Sequence, residues 1–200
     1  MTAGPVWHGS GIGWDNALNS FVTQLTSNYE RFSGIKICSA ESTLVLVSLY
    51  APTHGKDDDF LDCMSHLTEF LLENISSNDA IIIGADSNCS SKSSPRRKKA
   101  WNAFCLNFSL KSHASSTPTF HHHNGSSNSC IDTILMSEHL KTSNLIQLCT
   151  LEDPTNLSSH DVLTTTMAIS FHQRPKSKYE HTYTKFNREQ VVWKEEHIPQ

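Results

Sequence analysis

Ala80-Ile81-Ile82-Ile83-Gly84-Ala85-Asp86-Ser87-Asn88 decides how the chain folds. Its apolar half, with three β-branched isoleucines, reads as a short strand buried on both faces. Gly84 and Ala85 keep bulk away from the end of that strand, where a carboxylate and a carboxamide follow. Strand alternation puts Asp86 and Asn88 on one side, two residues apart, on a backbone that the strand fixes. Taken alone, Asp-x-Asn also suits an Asx turn, in which both side chains bond their own backbone.

The upstream neighbours give this strand its setting. Asp57-Asp58-Asp59 opens a helix whose Phe60, Cys63, Met64, Leu67, Phe70, Leu71 and Ile75 recur three and four apart, a core-facing stripe. The aspartates sit where the helix dipole favours negative charge, and dipole and solvation explain them better than a metal site does. Asn78 and Asp79 turn the chain into the isoleucine strand, and helix-then-strand order points to α/β layering. Residues 34–38 alternate like a half-buried strand, and Thr43–Tyr50 is a more fully buried one, stopped by Pro52. Across 39–42 the two read as an antiparallel hairpin. The opening Gly9-Ser10-Gly11-Ile12-Gly13-Trp14 reads as a further strand, and the mixed spacing of 16–25 decides nothing.

Downstream, a Ser-rich loop ends in Pro95-Arg96-Arg97-Lys98-Lys99, and Ala100, Trp101, Phe104, Cys105 and Phe108 mark a second amphipathic helix. Four cations at a helix start oppose its dipole; phosphate binding or simple solvation would account for them. Asn124-Gly125 suits a type I′ turn between strand-like flanks. Adjacent strand residues face opposite ways, so His121, His122 and His123 cannot easily share one metal and read as hairpin surface. A Thr-rich strand spans 162–171, after which apolar density falls. The chain divides into one domain, 9–171, and a polar linker or tail, 172–200.

A chain of 200 residues can hold one good-sized core. The net charge of −4 gives no global attraction to nucleic acid, so any such binding must rest on local patches. No apolar run is long enough to span a bilayer, and the first residues lack a secretory pattern. Six cysteines without a CxxC suit free thiols in a reducing, intracellular compartment.

Four signals stand in order: Tyr50-Ala51-Pro52, Asp86-x-Asn88, Ser129-x-x-Asp132 and Ser159-His160. As a set they resemble the exonuclease–endonuclease–phosphatase superfamily, with its DNase I-like fold. With Ser94-Pro95-Arg96-Arg97 and Pro118-Thr119-Phe120-His121-His122-His123 added, the string looks most like the endonuclease domain of LINE-type (non-LTR) retrotransposon proteins. The resemblance covers roughly 9–171. It implies a four-layered α/β/β/α sandwich and Mg²⁺-dependent hydrolysis of a phosphodiester, with DNA as the partner.

By that resemblance Asp86 orients or deprotonates the attacking water, and Asn88 holds a phosphate oxygen through its amide. His160 contacts the phosphate, oriented by Asp132, and Tyr50 donates its hydroxyl to the same group. Arg96, Arg97, Lys98, Lys99 and Thr119 are the implied substrate contacts. A reverse transcriptase domain is the implied neighbour in a full-length element, and the nucleus the implied location of a functional one.

The chain departs from the family pattern in three places. Ser159 stands where an Asp usually precedes the His, with Asp161 close behind, and Ser87 stands where a Phe is common, an outward position of little consequence. The Asn and the metal-binding Glu of the family's first strands have no counterpart in 1–8, and Glu30 and Glu41 lie in the wrong context to replace them. The expectation is a sandwich missing its N-terminal strands, from a truncated reading frame, weakly active or inactive as it stands. Its metal ligands are unassigned. The competing readings are a phosphatase or phosphodiesterase acting on small phosphoesters and a non-catalytic retroelement remnant.

Overall fold

A computed structural model describes residues 9–38, 43–115, 117–122, 125, 128–138, 140, 147–151 and 158–166. The isoleucine stretch forms β4 (Ala80–Asp86) in the interior of a six-stranded sheet. The other strands are β1 (Val22–Leu25), β2 (Phe32–Cys38), β3 (Thr43–Tyr50), β5 (Leu110–Ala114) and β8 (Asp132–Ser137), and the order is β1-β2-β3-β4-β8-β5. β2 and β3 pair antiparallel, as the alternation predicts, and β3 runs parallel to β4. That parallel step needs a crossover, and α1 (Asp57–Asn74) supplies it. A second helix, α2 (Pro95–Asn107), follows β4.

Both helices pack on the sheet face that carries Val45, Val47, Leu49, Ile81, Ile83, Ala85 and Leu135. The stripe of α1 is the centre of this core: Phe60, Cys63, Met64, Leu67 and Leu71 are fully enclosed. α2 adds Ala100, Trp101 and Phe104. Ser94 caps α2 by accepting from the Arg97 backbone N–H, with Pro95 at the first helical position.

The opposite face holds Leu46, Ile82 and Ile134, half-buried, and an exposed Gly84. Two short ribbons lie outside this sheet, β6 (Phe120–His121) with β7 (Asn128–Ser129), and β9 (Gln147–Leu151) with β10 (Val162–Thr166). They are tied at their bases, where His121 N–H donates to Ser159 O and Asp161 N–H to Thr119 O, both at 2.8 Å.

Three expectations need correction or delimiting. Residues 9–14 form no strand. The Ser10 hydroxyl donates to Ser48 O and Ser10 O accepts from the Ser33 hydroxyl, so side-chain bonds, not a ladder, hold this segment against the sheet. Ser87 does not face outward: it is buried, and its hydroxyl and backbone N–H both donate to Ile131 O. The turn at Asn124 and the tail 172–200 lie outside the described residues. Among the described residues no helix is long and apolar enough to cross a membrane.

Candidate active site

Strand register builds the centre of the site. Tyr50 pairs with Asp86 across β3 and β4, and Asp86 pairs with Asp132 across β4 and β8. The three therefore stand abreast on the sheet face opposite the helices. Each ends or begins its strand, where the backbone leaves the ladder and a side chain can meet solvent.

His160 arrives from the loop before β10, held by a backbone bridge to Phe120 and with its ring 4.9 Å from the Phe120 ring. Its Nδ1 lies 3.1 and 3.2 Å from the two carboxylate oxygens of Asp132. A carboxylate can only accept, so Nδ1 carries the proton and Nε2 is left facing Asp86, 4.0 Å from Oδ2. That gap is too long for a hydrogen bond. One ligand atom from each of Asp86, Asp132 and His160 lies within 4.8 Å of the others, close enough for the trio to coordinate a metal ion.

The electrostatics match this crowding. Burial lifts the Asp86 carboxyl to about 6, with the Asp132 charge adding to it; His160 and the Asn88 hydrogen bonds pull the other way. The hydrogen bond to Asp132 raises His160 above its ordinary value against its own burial, and the charges of Asp132, Asp86 and Asp161 reinforce it. The result is a carboxylate made more basic beside an imidazole made readier to carry charge.

Asn88 combines the two readings of Asp-x-Asn. Its N–H donates to Asp86 Oδ1 at 3.1 Å, an Asx turn, and its φ of +46° ends the strand alternation. Its Nδ2 donates to Ala51 O at 2.8 Å, which ties it to the loop that follows Tyr50. The Arg31 guanidinium lies 5.7 Å from the centre of the Tyr50 ring.

The basic cluster behaves differently from the expectation. Arg97 is fully buried, and all its guanidinium donors are used within the chain. It forms an ion pair with Asp57 and lies over the Phe60 ring, so it cannot be a substrate contact. Arg96 bonds Asp58 at 2.6 Å and Lys98 reaches Ser91 O. The aspartates at the start of α1 thus neutralise cations at the start of α2, which neither charge run shows by itself. Thr119 is not open to a substrate either: it is buried, and its hydroxyl accepts the Asp132 N–H at 3.3 Å, so it supports Asp132 from behind.

Sequence reasoning missed several members of the arrangement. Asp57 and Ser94 bond each other and Arg97. His121 pairs with Asp161 at 2.8 Å beside the loop that carries His160. Opposite charge on Asp57–Asp59 and Arg96–Lys99 was the only available signal for the first, and no local pattern joins His121 to a residue forty positions on.

Comparison with known proteins agrees with the geometry. The family described as endonuclease-reverse transcriptase matches residues 44–164, which include Tyr50, Asp86, Asn88, Asp132 and His160. The chain's fold is similar to that of the endonuclease domain of TRAS1, a telomere-specific non-LTR retrotransposon. The TM-score is 0.58 at 17% identity, over 78% of this chain and 71% of that one. It is also similar to endonuclease/exonuclease/phosphatase proteins of Beutenbergia cavernae and Leptotrichia buccalis. Their TM-scores are 0.52 and 0.51, both at 11% identity, over 81% and 69% of this chain and 46% and 53% of theirs. No curated protein matches the sequence.

Proposed function

Because this chain belongs to the endonuclease-reverse transcriptase family, we propose that it hydrolyses phosphodiester bonds, with DNA as substrate and Mg²⁺ as cofactor. The observation that carries this reading is the trio Asp86, Asp132 and His160, delivered by β4, β8 and the loop before β10 to one point. In this reading Asp86 takes the proton of an attacking water. A carboxyl lifted to about 6 is still ionised at neutral pH and is a stronger base than an ordinary one. His160, its Nδ1–H given to Asp132, presents Nε2 to a phosphate oxygen and donates to it when protonated.

The donor set fits a hard divalent cation: two carboxylates stand side by side, and burial, with the charge of Asp132 adding to it, raises the carboxyl of Asp86. Asp86 and Asp132 would hold it, while Nε2 of His160, a soft ligand for Mg²⁺, suits the substrate better. When bound, the ion supplies positive charge to the phosphoryl oxygens. Tyr50, abreast of Asp86, and the second amide hydrogen of Asn88 line the same phosphate position. A reverse transcriptase domain is the partner that this reading places beside the endonuclease in a longer product.

Nicking of supercoiled plasmid, with Mg²⁺ and with a chelator, tests the proposal. Asp86→Asn should lower the rate by roughly 10²-fold or more, as losing a positioned base does. His160→Ala should cost on the order of 10²–10³. A second reading, hydrolysis of a small phosphoester, draws support from the burial of Arg97 and the pairing of Arg96, which thin the cationic surface that a duplex would meet. Cleavage of bis(p-nitrophenyl) phosphate without plasmid nicking would select it. No hydrolysis of either substrate would leave a non-catalytic remnant.

A further inference from the structure

Arg97 is spent on the loops that carry the site. Its Nη1 donates to Pro52 O at 2.7 Å and to Asn88 O at 3.0 Å. Nη2 donates to Thr53 O at 2.8 Å and to Lys56 O at 3.2 Å, and Nε meets Asp57 at 3.2 Å. One planar fork thus binds the chain after β3, the chain after β4 and the first residue of α1. These loops begin at Tyr50 and at Asp86. Asn88 sits between them at a positive φ, unusual for a residue with a side chain, and such a conformation persists only where its surroundings hold it. Its carbonyl is held by Arg97 and its Nδ2 by Ala51 O, one residue from Pro52. Ala51 N–H in turn donates to Asp86 O at 2.9 Å.

We propose that Arg97 is the positioning residue of the site: by binding Pro52 O and Asn88 O on one guanidinium nitrogen, it fixes Asn88 in the geometry that presents its amide. This role rests on the phosphodiesterase reading for its purpose, but not for its existence. A lysine keeps the charge yet has a single nitrogen and no fork, so it cannot hold the carbonyls and Asp57 together. Charge alone therefore does not rescue the position.

The test compares Arg97→Lys with Leu67→Ala, a core substitution in α1 that lowers stability away from both loops. Amide hydrogen exchange and ¹H–¹⁵N shifts of the Asn88 side chain and of the Asn88 and Ala51 backbone are read in the full chain. Arg97→Lys should speed exchange at these amides about tenfold beyond the Leu67→Ala control, a local opening and not a global one. If Arg97→Lys does not fold, Asp57→Ala carries the test, since it removes the acceptor of Nε–H and leaves four carbonyl bonds; about threefold faster exchange at the same amides is expected. Exchange and shifts at Asn88 and Ala51 equal to the control, in whichever variant folds, would overturn the proposal. A parallel nicking assay should show kcat falling in Arg97→Lys with KM unchanged. If the unsubstituted chain does not nick, the functional reading fails, and the amide data still decide the role of Arg97.

Discussion

At the scale of single residues, three groups in the site and beside Arg97 tie stability to pH. Asp86 ionises near 6 in the folded chain and near 3.8 in the unfolded one. Between those values only the folded state holds the proton, so stability falls as pH rises from about 4 to about 6 and stays lower above. The raised His160 acts in the same sense: its contribution is complete below pH 6.5 and is lost as pH rises through its higher folded value. Asp57, held low first by the Ser94 hydroxyl, contributes above 3.8 and is lost as pH falls below that. Together they favour an optimum on the acid side of neutral. Asp86→Asn should therefore stabilise the protein at pH 8, on the order of 1–2 kcal/mol, because the desolvated charge is gone while the bond to Asn88 N–H survives. The expected gain is a few degrees in Tm at pH 8 and almost none at pH 4. A Tm lowered at pH 8 would show that the charge is stabilised by its neighbours and not merely tolerated.

At the scale of elements, periodicity was legible wherever one face is buried. The 57–75 stripe and the 34–38 and 43–50 hairpin emerged as elements, since apolar spacing reports burial directly; the isoleucine strand emerged too, but it is not buried on both faces as expected, because Ile82 is half-buried and Gly84 exposed on the face away from the helices. Residues 9–14 misled because glycines alternating with Ser, Ile and Trp imitate a strand pattern, while side-chain bonds to Ser33 and Ser48 decide their path. Tertiary neighbours are likewise invisible at Gly34, where β2 passes beneath α1. A Cβ there would lie 2.6 Å from Phe70 Cζ, and Phe70 is itself buried against Phe32. Gly34→Ala should cost roughly 1–3 kcal/mol by overpacking. Phe70→Leu should cost less in that background than alone, because it makes room for the new methyl. Additive losses by denaturant titration would mean that the clash is relieved elsewhere.

At the scale of the molecule, the order of motifs singled out Tyr50, Asp86, Asn88, Asp132 and His160 as candidates, because each sits at a strand end or loop whose type is local, and the structure gathers Asp86, Asp132 and His160 at one point. What held them together was not readable. Arg97, Asp57, Thr119 and Asp161 act through contacts between distant segments, and a sequence offers no period for those. The same whole-molecule view gives a test of the cation that does not depend on turnover. An ion bound between Asp86 and Asp132 would cancel their repulsion in the folded chain and have no such site in the unfolded one. At ten times its dissociation constant it should add about 1.4 kcal/mol, a few degrees in Tm for a chain of this size. Mg²⁺ should therefore raise Tm at pH 8 in the unsubstituted chain. The rise should shrink in Asp86→Asn and in Asp132→Asn, and survive in His160→Ala, since Nε2 is assigned to the substrate. An equal rise in all four proteins would place the ion away from the trio. A rise lost only in His160→Ala would instead make the imidazole a ligand, and the division of roles between His160 and the two carboxylates would have to be reversed.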